Sequence, residues 1–200
     1  MKSAEKFLKT LKFDKAVNPE EASFSKGGGA FSSEPIEKLA KNVESRAVYL
    51  LGMREHGAKE LKTKLLTKFS ETEALLSECQ ETPGFMSDLI DDVLQRCRDN
   101  NWQSDERYIE QSVRNWAEKG SGPIKIRQKL QQATDRDDLI TLYLDWDDRE
   151  WLELAQNVLI KKYGDALRPT EQKEQAKRMR FLQSRGFSSE TVWKVFRNQI

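Results

Sequence analysis

Leu130-Gln131-Gln132-Ala133-Thr134-Asp135-Arg136-Asp137-Asp138-Leu139-Ile140 and Leu182-Gln183-Ser184-Arg185-Gly186-Phe187-Ser188-Ser189-Glu190-Thr191-Val192 each set a leucine ten residues ahead of a β-branched aliphatic residue. Polar and turn-forming residues fill the interval, as between two helices joined by a short turn. A third copy begins at Leu65, where Gly84 precedes Ile90 by six residues as Gly186 precedes Val192. Only the leucine-to-glycine distance differs, 19 residues against 4, so this copy carries a 15-residue insertion within 68–83, with Glu71, Glu73, Glu78 and Glu81. The tails Leu89-Ile90-Asp91-Asp92-Val93-Leu94, Leu139-Ile140-Thr141-Leu142-Tyr143-Leu144 and Thr191-Val192-Trp193-Lys194-Val195-Phe196 place apolar residues four apart, on one helical face.

Working outward, Leu61, Leu65 and Leu66 form the stripe of a helix before the first tail, and Ile126, Leu130 and Ala133 do so before the second. A further helix precedes each, predicted over 46–55, 105–118 and 151–162, with stops near Gly57, Gly120 and Gly164. Ser104, Asp135 and Ser87 stand where helix caps are expected, ahead of acidic residues that suit a helix N-terminus. No run alternates as a strand does. The expected fold is all-α: an elongated array of three tandem three-helix repeats over 38–100, 101–148 and 149–200, each too small to stand without a neighbour. Residues 1–37 read as a flexible extension, with a Lys26-Gly27-Gly28-Gly29 linker and a cap at Ser32-Ser33-Glu34-Pro35. Near its start, Ala4, Phe7, Leu8 and Leu11 oppose Lys2, Lys6, Lys9 and Lys12, the pattern of a short basic amphipathic helix that is marginal alone.

The chain has 200 residues, 37% hydrophobic and 34% charged, with a mean hydropathy of −0.78. Such a composition fills a core only if its apolar residues are well patterned, which favours a modular chain over one large globule. The longest nearly apolar stretch, 47–53, is far below the roughly 18 residues of a membrane span. The charged N-terminus offers no signal-peptide core, so a cytoplasmic protein is expected. Net charge is only +1, yet its sign alternates: −8 over 70–110, +4 over 111–134, −6 over 135–153 and +6 over 154–200. Each repeat is therefore expected to hold a basic and an acidic element.

Catalytic chemistry is not indicated. His56, the single histidine, sits at a helix end, where it reads as a terminal group rather than a general base. Lys26-Gly27-Gly28-Gly29 lacks the ending of a phosphate loop. Asp91-Asp92 and Asp145-Trp146-Asp147-Asp148 lack calcium-loop spacing and read as solvated faces. Cys79 and Cys97 have neither CxxC spacing nor histidine pairs, so buried thiols are expected and no metal or cofactor.

What remains is electrostatic binding. Lys59, Lys62, Lys64 and Lys68 avoid the Leu61/Leu65 stripe, and Lys125, Arg127 and Lys129 avoid Ile126/Leu130. In register, Lys62 matches Arg127 and Lys64 matches Lys129, whereas the third copy has Met179 and Phe181 there and carries Lys177, Arg178, Arg180 and Arg185 nearby. Rows of such helices suit phosphates or an acidic protein groove. A helix-turn-helix DNA-binding regulator is the competing reading. It is disfavoured because Asp88, Asp91, Asp92, Asp137 and Asp138 occupy the helices that would enter the major groove, leaving only the third copy, with Lys194 and Arg197. A scaffold for another protein is a third reading.

Four ordered motifs then resemble one family: Arg54-Glu55-His56-Gly57-Ala58-Lys59-Glu60-Leu61-Lys62-Thr63-Lys64-Leu65; Asn101-Trp102-Gln103-Ser104-Asp105-Glu106-Arg107-Tyr108; Lys119-Gly120-Ser121-Gly122-Pro123-Ile124-Lys125-Ile126-Arg127-Gln128-Lys129-Leu130; and Phe181-Leu182-Gln183-Ser184-Arg185-Gly186-Phe187. Together they are similar to the RecX family of bacterial RecA regulators, over about 38–200. The resemblance implies an all-helical, non-enzymatic protein. It further implies binding to the RecA filament on single-stranded DNA, directly to that DNA or through RecA, with duplex DNA as a further candidate. Inhibition of RecA ATP hydrolysis and strand exchange would follow. A monomer is expected.

Overall fold

Leu65, Leu130 and Leu182 and their partners Ile90, Ile140 and Val192 are all completely shielded from solvent. Six positions aligned by sequence are thus six equivalent core positions, each side chain contributing about 1.5–3 kcal/mol by leaving water. The computed structural model describes residues 34–197, which form ten helices and, among the described residues, no strand. They are α1 (Glu34–Met53), α2 (Ala58–Lys68), α3 (Glu73–Cys79), α4 (Phe85–Asp99), α5 (Asp105–Glu118), α6 (Pro123–Gln131), α7 (Asp137–Leu144), α8 (Asp148–Tyr163), α9 (Gln172–Arg185) and α10 (Ser189–Arg197). Helix α1 packs on α2, α3 and α4; α5 on α6 and α7; and α8 on α9 and α10. No described helix is long and apolar enough to cross a membrane.

The helix limits follow local chemistry, and several differ from the expected ones. Residues 34–37, read as extension, open α1, because Pro35 fits a first turn, Glu34 and Glu37 suit its dipole, and Ile36 is buried. Gly57 is no helix stop but the N-cap of α2, in extended conformation. Ser104 caps α5 by accepting from the Arg107 amide at 3.3 Å. Asp135 and Ser87 do not cap: Asp135 reaches across to Lys59 at 2.8 Å, and Ser87 lies inside α4. The insertion supplies the missing acceptor for α4, since the Glu71 carboxylate takes the Gly84 and Met86 amides at 3.0 Å each. Its short helix α3 is capped by Thr72 and seals the core with buried Cys79. The 68–83 segment is therefore a structural cover as well as an acidic run. The amphipathic pattern at 4–12 lies outside the described residues.

Two apolar cores result. One joins α1–α4, from Ile36 through Val43, Leu65 and Ile90 to Cys97. The other runs without interruption through α5–α10, from Tyr108 through Leu130, Leu159 and Leu182 to Phe196. Between α1–α4 and α5–α10 the contacts are instead polar. Asp105 accepts from the Ala58 amide at 2.8 Å, Gln103 donates to the His56 carbonyl at 3.2 Å, and Arg107 meets Glu55 at 2.8 Å.

Candidate functional site

The first amides of an α-helix have no partner within the helix. In α2, the Glu60 amide donates to the Ala133 carbonyl just past α6, at 3.1 Å. In α6, the Gly122 and Ile124 amides donate to the Arg185 and Gly186 carbonyls at the end of α9, at 2.8 and 3.1 Å. The second helix of each set thus begins where that of the next set ends, and α9, α6 and α2 form a head-to-tail spine. The approach is so close that a Cβ on Gly57 would stand 2.2 Å from the Ala133 oxygen, and one on Gly122 would stand 2.5 Å from Gly186. Only glycine fits at either joint.

This spine carries the basic residues singled out in the sequence, but it uses many of their charges internally. Lys59 pairs with Asp135 and Lys62 with Asp91, at 2.8 and 2.6 Å, and Lys64 approaches Glu60 at 3.6 Å. Arg127 donates to Thr141 at 3.1 Å. In register, Asp91 and Thr141 both follow the anchored isoleucine, so Lys62 and Arg127 make the same contact in two copies. Lys125 donates to the Ser184 carbonyl at 3.2 Å, tying α6 to α9. Arg178 is only 11% exposed, held by Asp165 at 2.7 Å, which raises its pKa. Lys177 pairs with Glu174, and Arg180 donates to the Ala176 carbonyl. Lys68 has no ion pair among the described residues and stays exposed.

Two of these residues instead line open clefts, where they meet residues the sequence reading passed over. A cleft of about 650 Å³ between α2, α5 and α6 gathers Lys129, Lys119, Trp116, Arg54 and Glu60, with Lys129 4.7 Å from the centre of the Trp116 ring. A second, of about 740 Å³, lies between α5, α8 and α9 and gathers Arg185, Lys161, Lys162, Phe181 and Leu154, with Lys119 on its wall as well. Here Lys162 and Arg185 stand 4.0 and 5.3 Å from the centre of Phe181. Lys161 and Lys162 in the last turn of α8, and Lys119 just after α5, are legible as basic residues at helix ends, where they complement the negative end of the dipole. That they face the clefts depends on packing between sets.

His56 is buried, and its Nδ1 donates to the Arg54 carbonyl at 3.0 Å. Burial lowers its pKa, which favours the neutral ring. Cys79 and Cys97 are free and buried, and burial pushes the Cys97 thiol up to about 11. No group of three or more His, Cys, Asp and Glu among the described residues could hold a metal. On α10, Lys194 pairs with Asp148 and Glu190 at 2.7 and 2.8 Å, and Arg197 is exposed.

Residues 148–196 match the third three-helix domain of RecX. The regulatory protein RecX of Vibrio vulnificus is 34% identical over 146 residues, spanning 73% of this chain and 85% of that protein. The chain belongs to the RecX family. The RecX of Serratia proteamaculans is 33% identical over 165 residues, covering 77% of this chain and 95% of its own length. In fold, a crystal structure of RecX from Lactobacillus salivarius superposes with a TM-score of 0.60 at 19% identity, over 80% of this chain and 95% of that one. The head-to-tail spine is thus a feature of a chain whose RecX relatives are named as regulatory proteins.

Proposed function

We propose that this RecX-family chain is a non-enzymatic negative modulator of RecA that binds the RecA/single-stranded DNA filament. It would restrain ATP hydrolysis and strand exchange, and through them recombination, repair and the SOS response, acting as a cytoplasmic monomer. The observation that carries this reading is the spine of α2, α6 and α9, which strings basic residues at repeat intervals along a chain related over most of its length to regulatory RecX proteins. The three repeats, α1–α4, α5–α7 and α8–α10, would lie along the filament groove. Lys62, Lys64, Arg127 and Lys129 would face DNA phosphates or acidic RecA surface, with Lys59, Lys68, Lys125, Lys177, Arg180 and Arg185 as further contacts, while Arg178, expected from the sequence to join them, is 11% exposed and held by Asp165 within the fold. Where intramolecular carboxylates hold these cations, docking exchanges one anion for another, which costs little at an exposed site. Competition for the groove accounts for inhibition with no bond chemistry.

The test is RecA-dependent ATP hydrolysis on single-stranded DNA, titrated with this protein. Inhibition is expected, and the K62E/K64E/R127E/K129E variant is expected to lose it while retaining its helical circular dichroism. Full inhibition by a folded quadruple variant would show that other surfaces bind the filament. No inhibition by the natural chain would overturn the function.

A further inference from the structure

The two clefts meet at Lys119, which lines both; the first holds the rings of Trp116 and the more deeply buried Tyr108, the second that of Phe181, and both have excess positive charge. In the first, Glu55 and Glu60 are already engaged by Arg107 and Arg54, leaving Lys119 and Lys129 without a carboxylate among the described residues. In the second, Lys119, Lys161, Lys162 and Arg185 face a single acid, Glu118. Trp116 and Phe181 are partly buried in these walls with cations at their faces. Two adjoining clefts that share Lys119 thus each set a ring among several cations. A polyanion with free planar faces has the matching chemistry. Duplex DNA does not, because its bases already stack on one another. An acidic peptide would satisfy the lysines and leave the rings unused.

We propose that the two clefts form one track for single-stranded nucleic acid held directly by this chain, with bases stacking on Trp116 and Phe181 and phosphates meeting Lys119, Lys129, Lys161 and Lys162. An arriving base takes the ring face that Lys129 or Lys162 now covers, and the displaced ammonium meets the phosphate of the same strand. This deepens the filament-binding reading and rests on it for the choice of nucleic acid over other polyanions. It adds the two clefts, which Lys129 and Arg185 line, to the contacts proposed along the spine.

The test uses the full chain without RecA, with fluorescein-labelled oligo-dT of about 15 nucleotides and an abasic strand of equal length, read by anisotropy across a salt series. Trp116→Leu and Phe181→Leu keep apolar volume and remove the ring. Each is expected to weaken oligo-dT binding about tenfold, and to leave abasic binding unchanged. Trp116→Phe restores a stacking face and is expected to recover most of the loss. Lys119→Gln with Lys162→Gln weakens binding to both strands and lowers the salt slope by about 0.7 per residue. Equal binding of oligo-dT and the abasic strand by the natural chain, or unaltered oligo-dT binding by folded ring variants, overturns the track. If those variants keep oligo-dT binding and lose RecA inhibition, the clefts hold protein and the assignment is wrong while the filament reading stands. If they lose oligo-dT binding, the track is supported whether or not RecA inhibition survives.

Discussion

Protonating His56 puts a charge at a site only 2% exposed, beside Arg54. Its folded pKa lies below the ordinary 6.5, so the unfolded chain binds the proton more readily. The stabilising contribution of the neutral ring is therefore complete above that ordinary value and is lost as pH falls below it, at no more than about 1.4 kcal/mol per pH unit. His56→Gln removes this proton linkage. Chemical denaturation of the two proteins from pH 8 to pH 5 is expected to show a smaller pH dependence in the variant, and parallel curves would disprove the linkage. The sequence placed this histidine at a helix end but gave no sign of its burial, because Gln103, which covers its carbonyl, is 47 residues away. Leu130 was legible, since its spacing to Ile140 is local. Leu130→Ala is expected to cost about 2–5 kcal/mol, against about 0.5 or less for the exposed Leu142→Ala, both read by urea denaturation.

For single elements, a cap can be read from sequence when its acceptor is adjacent, and is lost when the acceptor comes from an insertion. Ser104 illustrates the first case and Glu71 the second, with Glu71 standing 13 residues before the Gly84 amide it accepts. Glu71→Gln keeps the size and removes the charge, so it is expected to destabilise by about 0.5–2 kcal/mol, with the loss concentrated in exchange of the first α4 amides. The spine joints are similarly non-local. Pro123 and Gly122 announce a helix start, but nothing nearby announces that Gly186 presses on it. Gly122→Ala places a methyl group against the Gly186 backbone, and separating α6 from α9 is expected to cost about 1–3 kcal/mol by thermal or urea unfolding. A neutral result at Gly122 would mean that the joint opens freely.

Across the whole molecule, the three-copy pattern in sequence does not divide the apolar interior three ways, because the joints differ in chemistry. From α5–α7 to α8–α10 the core is continuous, with Val158, Phe187 and Leu182 in one cluster with Tyr108 and Ile126. From α1–α4 to α5 the link is made by Glu55, Ala58, Gln103, Asp105 and Arg107, and it leaves Glu55 Oε2 and Gln103 Oε1 buried without hydrogen-bond partners. An apolar core unfolds as a unit, whereas a polar seam with unsatisfied atoms transmits little stability. Native-state hydrogen exchange is therefore expected to resolve two opening units, α1–α4 and α5–α10. Leu65→Ala should speed exchange of the slow amides in α1 and α4 and leave those of α8 unchanged. Leu182→Ala should speed exchange in α5 as well as α8, since both helices share its core. A Leu65→Ala protein in which α8 exchanges faster to the same degree as α4 would mean that the seam couples the two cores as tightly as the packing within them.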